Sequence, residues 1–159
     1  QLRYPQRVLA MASLNSGPGF RSDTARDKWN QSCERTAASL ERKGLAALSK
    51  SKEVHAEWHT DVRGLIHAAR GIMTHKDSRM IDNLGNINVP VLVLVGAEDR
   101  EFLGAADYMA RKIPDIEKVI IENAGHAANL DQPEIFNKVL ISFLERQQLC
   151  WRSSPMVTT

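Results

Sequence analysis

The chain has little cysteine, no long hydrophobic run and no surplus of either charge. Its two cysteines, Cys33 and Cys150, lie far apart in no metal-binding spacing, which excludes a disulfide framework and suits free thiols in a reducing compartment, the cytoplasm. One disulfide closing the long loop between them is the alternative. The longest apolar run, residues 89–97, is too short to span a bilayer, and the opening residues carry no charged-then-apolar leader pattern. The 21 basic and 19 acidic residues are scattered, giving a net charge of +2 and no electrostatic footprint for nucleic acid or anionic lipid. The expected partner is therefore a small or neutral molecule. What is present is ordinary globular composition, 43% hydrophobic over 159 residues, enough to bury a core.

Residues 7–15 form an apolar run closed by Ser16-Gly17-Pro18-Gly19, which predicts a buried strand followed by a loop. Residues 1–5 read as the frayed end of a helix reaching Pro5, so the sequence reads as opening within a fold. From Ser22 or Asp23, both good caps, Ala25, Trp29, Cys33, Thr36, Ala37 and Leu40 recur at helical spacing until Gly44. A second amphipathic stretch places Val62, Leu65, Ile66, Ala69 and Met73 on one face, with Arg63, Arg70 and Lys76 off it. Together these predict a helical insertion of roughly sixty residues, much longer than an ordinary crossover.

Residues 89–97 then read as a strand ending near Gly96, residues 103–112 as a helix stopped before Pro114, and residues 118–121 as another strand. Strand, helix, strand implies parallel strands joined by a right-handed crossover, and the fold class is α/β. The last helix opens on Asp131-Gln132-Pro133-Glu134, a capping-box pair with proline in the first turn. Its apolar face is Ile135, Phe136, Val139, Leu140, Phe143 and Leu144. Residues 150–159 have no period and read as an exposed tail.

Two strand ends each deliver one chemically useful side chain, Asp99 just past Gly96 and His126 just past Gly125. In an open parallel sheet the C-terminal ends of all strands share one edge, so these turns converge. There Asp99 can accept a hydrogen bond from one imidazole nitrogen, hold the tautomer, and stabilise the cation formed when the other nitrogen takes a proton. The competing reading is that Asp99 caps the following helix and His126 fills a turn.

Over residues 87–144 the sequence resembles the C-terminal end of an α/β-hydrolase. The pieces that carry the resemblance are Val89-Pro90-Val91-Leu92-Val93-Leu94-Val95-Gly96-x-x-Asp99, then Gly125-His126, then Asp131-Gln132-Pro133-Glu134 with Phe136-Asn137. Arg3-Tyr4-Pro5-Gln6-Arg7-Val8 also resembles the segment where the helix behind the nucleophile hands over to the next strand. The resemblance implies a partial α/β-hydrolase fold, parallel strands with flanking helices and a helical lid insertion. Residues 1–20 would be the strand following the nucleophile helix, 21–85 the lid, 86–149 the core with the acid and histidine turns, and 150–159 the tail.

It further implies that Asp99 is the orienting acid and His126 the general base and acid of a Ser-Asp-His triad. The substrate would be a small, apolar, ester-like molecule, as in a carboxylesterase or lipase. Trp29, Leu65 and Met73 are the large side chains with which such a lid would line an acyl pocket, the alternative being that they only pack its helices together. The family's Gly-x-Ser-x-Gly elbow is missing, since no two of the nine glycines are four apart. On the resemblance, the nucleophile and oxyanion amides lie upstream of residue 1, and the chain alone is inactive as a serine hydrolase.

Two other readings stand beside this one. The first is a non-catalytic half-fold or pseudoenzyme serving as an interaction module, and the second is part of an epoxide hydrolase or dehalogenase that uses an aspartate nucleophile. The first strand would leave an edge open, so self-association through that edge is expected. No cofactor is expected, because Gly17-Pro18-Gly19 lacks the third glycine of a dinucleotide loop and Pro18 removes an amide. No metal site is expected either, because His55, His59 and Asp61 lack the His-Glu-x-x-His order and read as a solvated face. Ser13 and Ser16, with no elbow around them, read as loop residues.

Overall fold

Three parallel strands, β1 (Met11–Leu14), β2 (Val91–Gly96) and β3 (Ile116–Ile121), form one sheet in that order. The computed structural model describes residues 1–51 and 54–153, with side chains described as far as residue 148. All six residues of β2 are buried, as a near-continuous apolar run at the centre of a parallel sheet requires. β1 is shorter than the apolar run that announces it and only half-buried, because as an edge strand it pairs with β2 alone. Pro5–Arg7 is a single 3-10 turn, and residues 1–4, where a frayed helical end was expected, are not helical.

The chain divides into two compact units, Gly19–Asp82 and the remainder. In the first, α1 (Asp23–Lys43) is capped by Ser22, whose hydroxyl accepts from the Ala25 amide at 3.3 Å. Gly44 closes it at φ +59°, a left-handed conformation that glycine adopts without strain. Cys33, Ala37 and Leu40 are its buried stripe, whereas Thr36 is exposed and turns its hydroxyl back onto the Ser32 carbonyl. Cys33 is a free thiol whose pKa burial pushes up; the Cys150 side chain lies outside the described residues.

The second amphipathic stretch is shorter than its pattern. α2 (Arg63–Arg70) ends at Gly71, whose amide folds back onto the His67 and Ala68 carbonyls, and a Cβ there would meet the His67 carbonyl oxygen at 2.8 Å. Met73 therefore falls beyond the helix and is 44% exposed, so it does not extend the buried face that Ala69 begins. Arg70 binds Glu34 and Glu41 of α1 at once, which joins the two helices at their surface. A single turn, α3 (Arg79–Asp82), ends the unit.

In the remainder, α4 (Arg100–Lys112) connects β2 to β3 and starts three residues before the expected position, directly after Asp99. A short α5 (Ala128–Asp131) then leads into α6 (Pro133–Ser153), with Pro133 at its first position. Leu94, Ile121, Ala124, Ala128 and Phe136 form a core against which Leu14, Val119, Val139 and Leu140 pack. Ile135 and Leu144 prove to be 48% and 50% exposed, so the covered face of α6 is narrower than the apolar pattern. α6 also runs through Cys150 to Ser153, where a tail without secondary structure was expected; residues 154–159 lie outside the described residues. No helix among the described residues is long and apolar enough to cross a membrane.

Candidate active site

The two turns that carry the acid and the histidine are stitched together by backbone. Past the end of β2 the Ala97 amide donates to the Ile121 carbonyl and the Glu98 amide to the Ala124 carbonyl, both at 2.9 Å. The approach is so close at Gly96 that a Cβ would sit 2.3 Å from both the Ala124 and Gly125 carbonyl oxygens. Gly96 is therefore required by contact, at an ordinary negative φ, and its lack of a side chain lets the histidine turn lie against the end of β2.

Asp99 occupies the cap position of α4, but its side chain caps nothing there. The carboxylate, 6% exposed as a residue, instead meets His126, with Oδ2 at 2.9 Å from Nδ1. A helix-capping aspartate would spend that oxygen on the amides of the first helical turn. His126 keeps 47% of its side chain open to solvent, and its Nε2 makes no hydrogen bond to another described residue. A buried acid on one nitrogen with an exposed nitrogen opposite is the arrangement a base and its orienting group need.

Three further side chains shape the site, and sequence reasoning missed all of them. Asn15, the residue after β1, holds φ +46° and directs Nδ2 at the Gly125 carbonyl, 3.0 Å, and at Asp99 Oδ2, 3.4 Å. Asp131 accepts the Gly125 amide at 2.7 Å. That bond corrects the expected capping box, because Asp131 ends α5 and supports the histidine turn, so the last helix begins without it. Phe102, in the first turn of α4, lays its ring against His126 with centroids 4.9 Å apart. Gly125 is thus held by its amide and its carbonyl on either side, which fixes the peptide entering His126.

The structure brings Asp99 and His126 together, and Trp29, Leu65 and Met73 belong to the helical unit. Trp29 and Met73 meet within the helical unit, the indole donating to the Met73 carbonyl at 2.6 Å, and Trp29 packs with Phe20 and His75. Leu65 is half-buried on α2. His55 stacks on Trp58 and lies 3.7 Å from Glu57, and no group of three or more metal-ligating side chains is found among the described residues.

No family model matches the chain. A Bacillus subtilis protein provisionally named a 2-succinyl-6-hydroxy-2,4-cyclohexadiene-1-carboxylate synthase is 26% identical over 165 residues, spanning 90% of this chain and 59% of that protein. The B. subtilis carboxylesterase YbfK is 31% identical over 93 residues, 55% of this chain and 29% of the esterase. Among solved structures, a carboxylesterase of Nitrososphaera gargenis superposes over 92% of this chain and 59% of its own, with a TM-score of 0.71 at 20% identity. The chain has a partial α/β-hydrolase fold. It spans about three fifths of the length of the first curated relative and less than a third of YbfK. Within the α/β-hydrolase fold, the sheet edge where Asp99 and His126 meet is the edge at which open parallel sheets gather their reactive groups.

Proposed function

We propose that this chain supplies the acid and the histidine of an α/β-hydrolase that cleaves an ester-like bond in a small apolar substrate. The observation that carries the reading is the placement of Asp99 Oδ2 on Nδ1 of an exposed histidine, 2.9 Å away, in preference to the helix it precedes. With Nδ1–H held by Asp99, Nε2 is the basic nitrogen. It takes the proton of the attacking nucleophile and later returns it to the leaving alkoxide, while the Asp99 charge stabilises the imidazolium between the two steps. The nucleophile, a serine on this reading, and its oxyanion amides come from outside these residues, because the sequence holds no Gly-x-Ser-x-Gly. The carboxylesterases among the relatives and structural neighbours support the ester reading.

Substrate choice is assigned on the same reading to the helical unit, acting as a lid, with Trp29, Leu65 and Met73 as the side chains that meet an acyl chain. In the protein that carries the nucleophile, Trp29→Ala and Met73→Ala are expected to move the preferred chain length across a series of p-nitrophenyl esters. The shift should come with little change in melting temperature. A uniform loss of activity that follows a lowered melting temperature assigns both residues to packing of the helical unit. Failure of the unaltered protein to hydrolyse any of these esters refutes the ester reading.

A further inference from the structure

We infer that Asn15 is a positioning residue whose carboxamide ties the acid turn to the histidine turn and keeps Asp99 Oδ2 facing His126. The consequence for catalysis rests on the hydrolase reading above; the geometry does not. A single nitrogen, Nδ2, carries two hydrogens and reaches two acceptors, the Gly125 carbonyl at 3.0 Å and Asp99 Oδ2 at 3.4 Å. The first is an ordinary hydrogen bond and the second is long, hence the weaker of the two. Both partners are acceptors when Asp99 is ionised, so the amide nitrogen must be the end that faces them.

Oδ2 of Asp99 thus receives Asn15 and His126 on the same oxygen. Rotating the carboxylate away from the imidazole means giving up both partners, which makes the catalytically useful orientation the favoured one. The Gly125 carbonyl belongs to the peptide that enters His126, so the other half of the carboxamide restrains the ring's own attachment. Asn15 reaches both because its amide continues the strand ladder to the Leu94 carbonyl at 2.8 Å before the chain turns off the sheet.

A plainer role would be conformational. Position 15 sits at φ +46°, and asparagine is one of the few residues that tolerate the left-handed region. Glycine meets that backbone requirement equally well and has no amide side chain. Aspartate keeps the shape and the backbone tolerance, yet when ionised it has no hydrogen to donate and repels Asp99.

The test is the tautomer of neutral His126, read by nitrogen-15 NMR of the full chain at alkaline pH, where both carboxylates of Asn15→Asp are ionised. The unaltered chain is expected to hold His126 as Nδ1–H, and Asp99→Ala to abolish that preference. Asn15→Gly and Asn15→Asp are each expected to shift the ratio toward Nε2–H by about fivefold, the size of one net hydrogen bond. Melting by circular dichroism confirms that each variant is folded, and if Asn15→Gly is not, the isosteric Asn15→Asp carries the test. An unchanged ratio in a folded variant overturns the role of Asn15 while leaving the Asp99–His126 pair intact. Absence of the Nδ1–H form in the unaltered chain overturns both.

Discussion

Asp99→Ala is expected to lower kcat for ester hydrolysis by about 10⁴-fold in the protein that carries the nucleophile, a loss of the size seen when the acid of a serine triad is removed. The substitution takes away the only carboxylate that meets His126 among the described residues, from an oxygen 2.9 Å from Nδ1. Two things are lost together: the preference for Nδ1–H that leaves Nε2 basic, and the charge that stabilises the imidazolium. Because the Asp99 side chain makes no cap bond to α4, folding should be little affected, and KM should change less than kcat. Steady-state kinetics beside thermal melts check this. A loss in kcat no greater than about tenfold in a folded variant would remove Asp99 from the catalytic machinery.

Gly96→Ala is expected to be the most destabilising small substitution in the sheet, costing about 3 kcal/mol or more. The added carbon would lie 2.3 Å from two backbone oxygens, those of Ala124 and Gly125. Neither oxygen is free to retreat, since Ala124 is held by the Glu98 amide and Gly125 by Asn15. The histidine turn would have to lift from the end of β2, so whatever protein still folds should also lose the Asp99–His126 contact. For a chain of this length the cost corresponds to a fall in melting temperature of about 10 °C. Gly104→Ala is the control: it lies within α4 with open space around it, and alanine there should be neutral or stabilising. Equal melting temperatures for Gly96→Ala and the unaltered chain would contradict the close packing of the two turns.

The fold and the meeting of Asp99 with His126 were legible in the sequence because each is announced by local chemistry. Six buried residues in a row mark β2, Ser22 and Gly44 bracket α1, and a glycine turn after each of two strands points to Asp99 and His126. What escaped was set by contacts between segments far apart in the chain. Asn15 is an unremarkable polar residue after a short strand, and only the pairing of β1 with β2 brings it to Asp99, 84 positions away. Asp131 has every local sign of a helix cap, yet the Gly125 amide, six positions back, takes its carboxylate. The face of α2 was overextended to Met73 because apolar spacing continues past Gly71 while the backbone does not. The one local signal that was available concerns Phe102, three residues after Asp99 and so on the first turn of α4, beside whatever Asp99 meets.

Labelling with a fluorophosphonate probe bears most directly on whether Asp99 and His126 form the base half of a hydrolytic site. In a protein that joins these residues to a Gly-x-Ser-x-Gly elbow, one serine should label stoichiometrically, and His126→Ala should abolish the labelling while leaving the fold intact. The 159-residue chain alone, which has no such elbow, should not label at all. Labelling that persists at an undiminished rate in a folded His126→Ala variant, or a labelled serine within the 159 residues, would contradict the assignment.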